Sequence, residues 1–201
     1  MSDTVDGRIA GPDDIDAMAR TVALAFEADP VWGPAMDADR TTVGERTSLW
    51  RILVKGAVRN RWSSIVGDGA AASIWIPPGK PELDDDEEMA LADALETVLG
   101  AAKAAAFQEL VGRFEAHHRP GPPHAYLSLL ATHPEHRGKG IGMRLLAEDI
   151  RRLDELHLPA WLESTNPAND ARYGSVGFEP YGSFRTIDDQ RLITTMWRPA
   201  R

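Results

Sequence analysis

Apolar positions along this chain fall into two patterns, short unbroken runs and runs with helical spacing. Tyr126 to Thr132 is a nearly continuous apolar, β-prone run and predicts a buried strand. Beyond it Ile141, Leu145, Leu146, Ile150, Leu153 and Leu156 fall on one side of a helix at ~100° per residue. Upstream, Arg8-Ile9-Ala10 reads as a strand, and Asp13-Asp14 as the capped start of a helix running through Phe26 and Glu27. Ser63 to Gly67 and Ala72 to Pro77 predict two strands joined through Asp68-Gly69, a strong hairpin turn pair. Met89, Leu91, Ala92, Leu95, Val98 and Leu99 recur at helical spacing behind the acids Asp84 to Glu88, which suit a helix start. Gly100 then interrupts, and Ala101 to Glu115 forms a second helix. Ala160 to Ser164 is a short apolar strand, and Leu192 to Trp197 reads as a strand placed for a dimer edge.

Between the Tyr126–Thr132 strand and its following helix stands Arg137-Gly138-Lys139-Gly140-Ile141-Gly142, with glycines at alternate positions. Glycine lets backbone approach a ligand closely, and the first helical turn leaves N–H groups unpaired. Those donors, the positive end of the helix dipole and the charges of Arg137 and Lys139 together form an anion cradle. A ligand carrying phosphate is expected there. The Walker spacing and the Rossmann Gly-x-Gly-x-x-Gly spacing are both absent from this segment.

Composition narrows the classes. A chain of 201 residues, 43% hydrophobic, can bury a sizeable core. No run of ~18 apolar residues occurs, so no membrane partner is expected. The opening Met-Ser-Asp-Thr-Val-Asp lacks a basic and then apolar leader, and a cytoplasmic protein is expected. Zero cysteines exclude disulfides, thiolate metal sites and a thiol nucleophile. A formal net charge of −9 argues against nucleic acid and is compatible with a cationic ligand. His133, Glu135 and His136 suggest no third ligand, so no metal is expected, and no Gly-x-Ser-x-Gly elbow points to a serine hydrolase.

The Arg-Gly-x-Gly-Ile-Gly turn after a strand resembles the acetyl-coenzyme A loop of the GCN5-related N-acetyltransferase (GNAT) superfamily. The segment Trp161 to Phe178 is similar too: a strand, Asn166 or Asn169, a short helix carrying Tyr173, then Gly177-Phe178. Ala72-Ser73-Ile74-Trp75-Ile76-Pro77-Pro78-Gly79, His118-Arg119-Pro120 and Leu162-Glu163-Ser164 resemble the puromycin N-acetyltransferase branch of that superfamily. The resemblance implies one α/β domain over residues 1–201, a mixed, mostly antiparallel twisted sheet flanked by helices, with strands splayed at the acetyl-CoA site. Residues 82–118 would be a helical insertion walling the acceptor pocket, with Met89, Phe107, Leu110 and Phe114 as lining candidates.

The implied activity is transfer of acetyl from acetyl-CoA to a primary amine of a small molecule, by direct attack in a ternary complex. The pyrophosphate would rest on Arg137, Gly138, Lys139, Gly140, Ile141 and Gly142, and the pantetheine arm beside Leu130, Ala131 and Thr132 and near Asn166 or Asn169. Tyr173 would protonate the departing thiolate, and Glu163 is the first candidate for the base, ahead of Glu27 and His124. A monomer or a homodimer is compatible with this. Two other readings stand beside it, a protein or peptide amine acetyltransferase and a non-catalytic acetyl-CoA sensor. Trp75 reads as core and His117-His118 as a solvated loop, while Trp32, Trp50 and Trp62 read equally as acceptor entrance or core.

Overall fold

In a computed structural model of the protein, which describes residues 7–201, seven strands form one sheet. They are β1 (Gly7–Ile9), β2 (Ser64–Val66), β3 (Ala71–Ile76), β4 (Ala125–Thr132), β5 (Ala160–Ser164), β6 (Glu179–Arg185) and β7 (Leu192–Arg198). Their spatial order is β1-β2-β3-β4-β5-β7-β6, and every neighbouring pair is antiparallel except β4 and β5. The helices are α1 (Ile15–Phe26), α2 (Trp32–Ala35), α3 (Val43–Val58), α4 (Asp85–Leu99), α5 (Ala101–His117), α6 (Ile141–Glu155) and α7 (Asp170–Gly174). The expected mixed, mostly antiparallel sheet flanked by helices is therefore present.

Local chemistry sets the helix boundaries. Thr42 and Glu45 form a capping box at the start of α3, and Asp84 and Glu87 form another at α4. Gly100, at φ 80°, breaks the α4–α5 run. Asp14 behaves differently from the expected cap. Its carboxylate accepts from the Gly11 N–H and from Arg8 at the end of a short 3-10 turn instead of capping α1.

The two larger of three buried clusters lie on opposite faces of the sheet, and the third gathers Val31, Leu110, Phe184 and Ile193. Met18, Val22, Leu49, Trp50, Ile65, Ile74, Leu95 and Phe107 pack between the sheet and α1, α3, α4 and α5. Trp75, Leu127, Leu146, Ile150, Leu153 and Phe178 pack under α6. Leu156, placed on the same apolar stripe by the sequence, falls just past α6 and is exposed. The buried Asp149 of α6 accepts from Ser64 Oγ at 2.8 Å, from Trp75 Nε1 at 2.9 Å and from the Ser73 hydroxyl, which fixes the helix on the sheet.

Strand β4 changes faces midway. Trp75 pairs with Leu127 and Ile74 with Leu129, so Ser128 is passed over as a bulge. Leu127 consequently packs under α6, while Leu129 and Ala131 join the opposite core. One expectation is overturned at the other end of the sheet. Strand β7 is not an edge but lies between β5 and β6, with Ile193, Thr195, Met196 and Arg198 buried. The edge is β6, whose residues are exposed except Phe184 and whose Pro180 cannot donate to a further strand.

Candidate active site

The sheet opens at its centre. Strands β4 and β5 pair only from Ala125–Leu127 to Ala160–Leu162. Beyond this, Leu130 to Thr132 stay with β3, while Glu163 and Ser164 stay with β7. The backbone of β4 that faces the gap is left without a neighbouring strand. Asp29 holds the α1–α2 connection across the gap's end: Oδ2 accepts from Thr165 Oγ1 at 2.8 Å, and Oδ1 accepts from the Val31 and Trp32 N–H groups, both at 2.9 Å. A cleft of about 540 Å³ runs from this opening along the glycine turn.

That turn has the character of an anion site. Gly138 and Gly140 have φ of 76° and 70°, a region that strains any residue with a side chain. The N–H groups from Gly138 to Met143 have no hydrogen-bond partner among the described residues. A Cβ on Gly142 would lie 2.3 Å from Thr132 Oγ1, so only glycine lets the α6 N-terminus sit this close to β4. Arg137 donates to the Ala25 carbonyl at 2.8 Å, which ties the turn to α1. The free amides, the helix dipole and Arg137 fit a pyrophosphate.

Of the residues singled out by the sequence, Leu130, Thr132, Arg137, Gly138, Gly140, Ile141, Gly142, Asn166, Asn169 and Tyr173 line the cleft. Lys139 does not: its ammonium lies against the Glu135 carbonyl at 3.2 Å, and the residue is exposed. The Ala131 side chain is buried in the core on the opposite face, which leaves only its backbone near the gap. Asn166 uses Oδ1 to cap the following turn through the Ala168 N–H, and Asn169 Oδ1 accepts from Arg172 at 3.0 Å. Burial, then the charges of Asp29 and Asp170, push the Tyr173 hydroxyl up to about 12, so it keeps its proton at neutral pH.

Glu163 stands on the other face of the opening, its side chain 2% exposed. Burial pushes it up to about 7, against hydrogen bonds from Trp161 Nε1 and the Tyr126 hydroxyl that favour the ionised form. A second carboxylate shares this face. Glu82 accepts from Ser128 Oγ at 2.6 Å, and burial pushes it up to about 7 as well. His118 lies edge to edge with His124, ring centroids 5.1 Å apart and Nε2 to Nε2 2.9 Å, and meets Tyr126 and Trp161 edgewise or tilted. It is thus half-buried at the centre of this cluster and not the solvated loop expected.

An aromatic wall continues outward: Trp32 stacks on Phe114 at 5.3 Å, and Phe114 meets Phe184 at 5.2 Å. Phe107 and Leu110 are buried, but Met89 is 61% exposed on α4 and lines nothing. Trp75 and Trp50 are core, and Trp62 borders a separate cavity of about 190 Å³ against Trp75 and α6. Glu27, half-exposed, pairs with the buried Arg46 at 3.2 Å.

Sequence reasoning missed Glu82, Tyr126, Ser128, His118 and Asp29. Glu82 had no local signal, because its position comes from Gly56 on α3. A Cβ there would lie 2.3 Å from the Glu82 carbonyl oxygen, so the glycine admits that segment against the helix. Ser128 carried a faint one, a polar residue within an apolar strand. Among the described residues no group of three or more His, Asp or Glu could hold a metal.

A seven-stranded sheet split beside a glycine-turn helix is a fold shared with solved acetyltransferase structures. The model of the acetyltransferase (GNAT) family matches residues 70–178, more than half of the chain, and the protein belongs to that family. The family transfers acyl groups with acetyl-CoA as co-substrate. Solved structures agree in fold. A Corynebacterium glutamicum protein described as histone acetyltransferase HPA2 and related acetyltransferase is 21% identical, covers 97% of this chain and 96% of its own, and superimposes with a TM-score of 0.67. Arylalkylamine N-acetyltransferase 2 from Aedes aegypti is 13% identical over 97% and 98%, with a TM-score of 0.63. An agmatine N-acetyltransferase is 15% identical over 96% and 98%, with a TM-score of 0.65.

Proposed function

We propose that the protein acetylates the primary amine of a small cationic molecule, with acetyl-CoA and amine meeting at the split between β4 and β5. The observation that carries this reading is the placement of a proton donor and a proton acceptor on opposite sides of one opening. Tyr173 lines the coenzyme cleft, and Glu163 lies on the other face. Pyrophosphate binds the free amides from Gly138 to Met143, and the pantetheine arm runs along the unpaired edge of β4. A backbone N–H of Leu130 or Ala131 polarises the thioester carbonyl where charge develops in the tetrahedral transition state. Glu163, ionised above about pH 7, takes a proton from the amine, and Tyr173 donates to the leaving thiolate.

Two buried carboxylates, Glu82 and Glu163, suit an ammonium acceptor, and the aromatic wall of Trp32, Phe114 and Phe184 suits its apolar body. Helices α4 and α5 cover this face, which supports an enclosed small-molecule pocket over a peptide groove. The test is calorimetric titration with acetyl-CoA, then thiol release with agmatine, tyramine and puromycin. Donor binding with amine-dependent release is the expected result. Binding without release from any amine would favour a sensor, and no binding at all would remove the reading.

A further inference from the structure

Acetylation of an ammonium acceptor releases one proton overall. Of the three N–H protons, one stays on the amide, one leaves with the coenzyme thiol, and one must reach water. On the reading above that third proton lands on Glu163, which has almost no exposed surface of its own. Its carboxylate is closed in by Trp161, Tyr126 and the Glu82 side of the pocket.

Among the described residues a row of two histidines leads outward from Glu163. Glu163 Oε1 lies 3.7 Å from His118 Nδ1, His118 Nε2 lies 2.9 Å from His124 Nε2, and His124 Nδ1 lies 2.9 Å from the Pro122 carbonyl. The carbonyl at the far end sets the direction of the whole row. A carbonyl only accepts, so His124 carries its proton on Nδ1 and presents an Nε2 lone pair. His118 must then donate from Nε2, which leaves its Nδ1 lone pair facing Glu163. We infer that His118 and His124 form a proton relay that carries the acceptor's proton from Glu163 to the surface, away from the coenzyme cleft.

The step balances without any further reactant. The 3.7 Å from Glu163 to His118 is longer than a hydrogen bond and must close before the hop. Glu163 O–H then gives its proton to His118 Nδ1 as His118 Nε2–H passes its own to His124 Nε2, and the resulting His124 imidazolium loses a proton to water. Burial, then His124, push His118 down to about 4, so its Nδ1 lone pair stays free at neutral pH and the proton does not rest there. Tyr126 of β4 and Glu82 of the segment before α4 both face Glu163. Arg119 lies 3.9 Å over the Trp197 ring, which His124 meets edgewise.

The relay rests on the acetyl-transfer reading, and the experiment separates the two. Thiol release is followed with whichever of agmatine, tyramine or puromycin the unmodified protein acetylates, for His118→Ala and His124→Asn, at several concentrations of free imidazole. The expected result is a kcat loss of roughly tenfold to hundredfold in each variant, an unchanged KM for acetyl-CoA, and recovery as imidazole rises, with the unmodified protein indifferent to imidazole. Loss without imidazole recovery, or no loss, overturns the relay while acetyl transfer stands. No release from the unmodified protein overturns both. Nitrogen-resolved NMR of the free protein adds a check that needs no substrate: His124 protonated on Nδ1 and His118 on Nε2 is expected, and the reverse pair overturns the relay.

Discussion

The Tyr173 hydroxyl and the Glu163 carboxyl are both desolvated, with opposite consequences for the proton each can give or take. Desolvation penalises whichever form is charged, so it locks the tyrosine neutral and makes the carboxylate willing to take a proton near neutrality. Replacing Tyr173 with Phe removes only the hydroxyl. The expected outcome is a kcat lower by roughly tenfold to hundredfold, with acetyl-CoA affinity by calorimetry within about twofold, because the ring still packs on Phe178. Glu163→Gln keeps the Trp161 contact and removes the carboxylate proposed as the base. In the unmodified protein kcat/KM should rise as pH rises through about 7, the ionisation of Glu163, and in the variant that rise should disappear. The sequence singled out both residues as candidates through local markers, Tyr173 by its spacing from Gly177-Phe178 and Glu163 by its place at the end of a strand. Glu82 has no such marker, and the His118-Arg119-Pro120 motif carried no hint of a role for the ring, since both reach the site through tertiary packing of the segments before α4 and after α5.

At the scale of elements, close approaches of helix to strand decide the site. Gly142→Ala would drive a methyl into Thr132 Oγ1, pushing the α6 N-terminus off β4 and spreading the amides that face the cleft. Acetyl-CoA binding should weaken by roughly tenfold, about 1.4 kcal/mol, in calorimetry, and unfolding should shift less. Gly56→Ala acts on the other face, because its methyl meets the Glu82 carbonyl and Leu83. Here acetyl-CoA affinity should hold, while thermal stability falls by on the order of 1–3 kcal/mol and amine KM rises. The glycine turn, the β2–β3 hairpin and the α4–α5 break were all legible, since each depends on residues a few positions apart. The place of β7 was not. Its pairing with β5 joins segments about thirty residues apart, Ala160↔Arg198 to Ser164↔Thr194, and alternation within 192–198 is the same for an edge or a central strand. Pro180 in β6 was the available clue that the edge lay there instead.

For the molecule as a whole, two carboxylates with raised values inside an acidic protein make stability depend on pH in an unusual sense. Glu82 and Glu163 move from 4.5 to about 7 on folding, so the folded state holds protons that the unfolded chain has released. The stability they contribute is complete below the unfolded value and is lost as pH rises through about 7. The Glu163 shift alone corresponds to on the order of 3 kcal/mol at ~1.4 kcal/mol per unit. The ligand-free protein should therefore melt several degrees lower near about pH 8 than near about pH 5. A net charge of −9 pushes the same way through surface repulsion. Salt separates the two, because the Debye length shrinks to about 3 Å at ~1 M and screens exposed charges but not buried ones. The pH-dependent loss should survive high salt in the unmodified protein and be largely absent in a Glu82→Gln, Glu163→Gln double variant. If salt abolished it in the unmodified protein, the buried pair would not be its source.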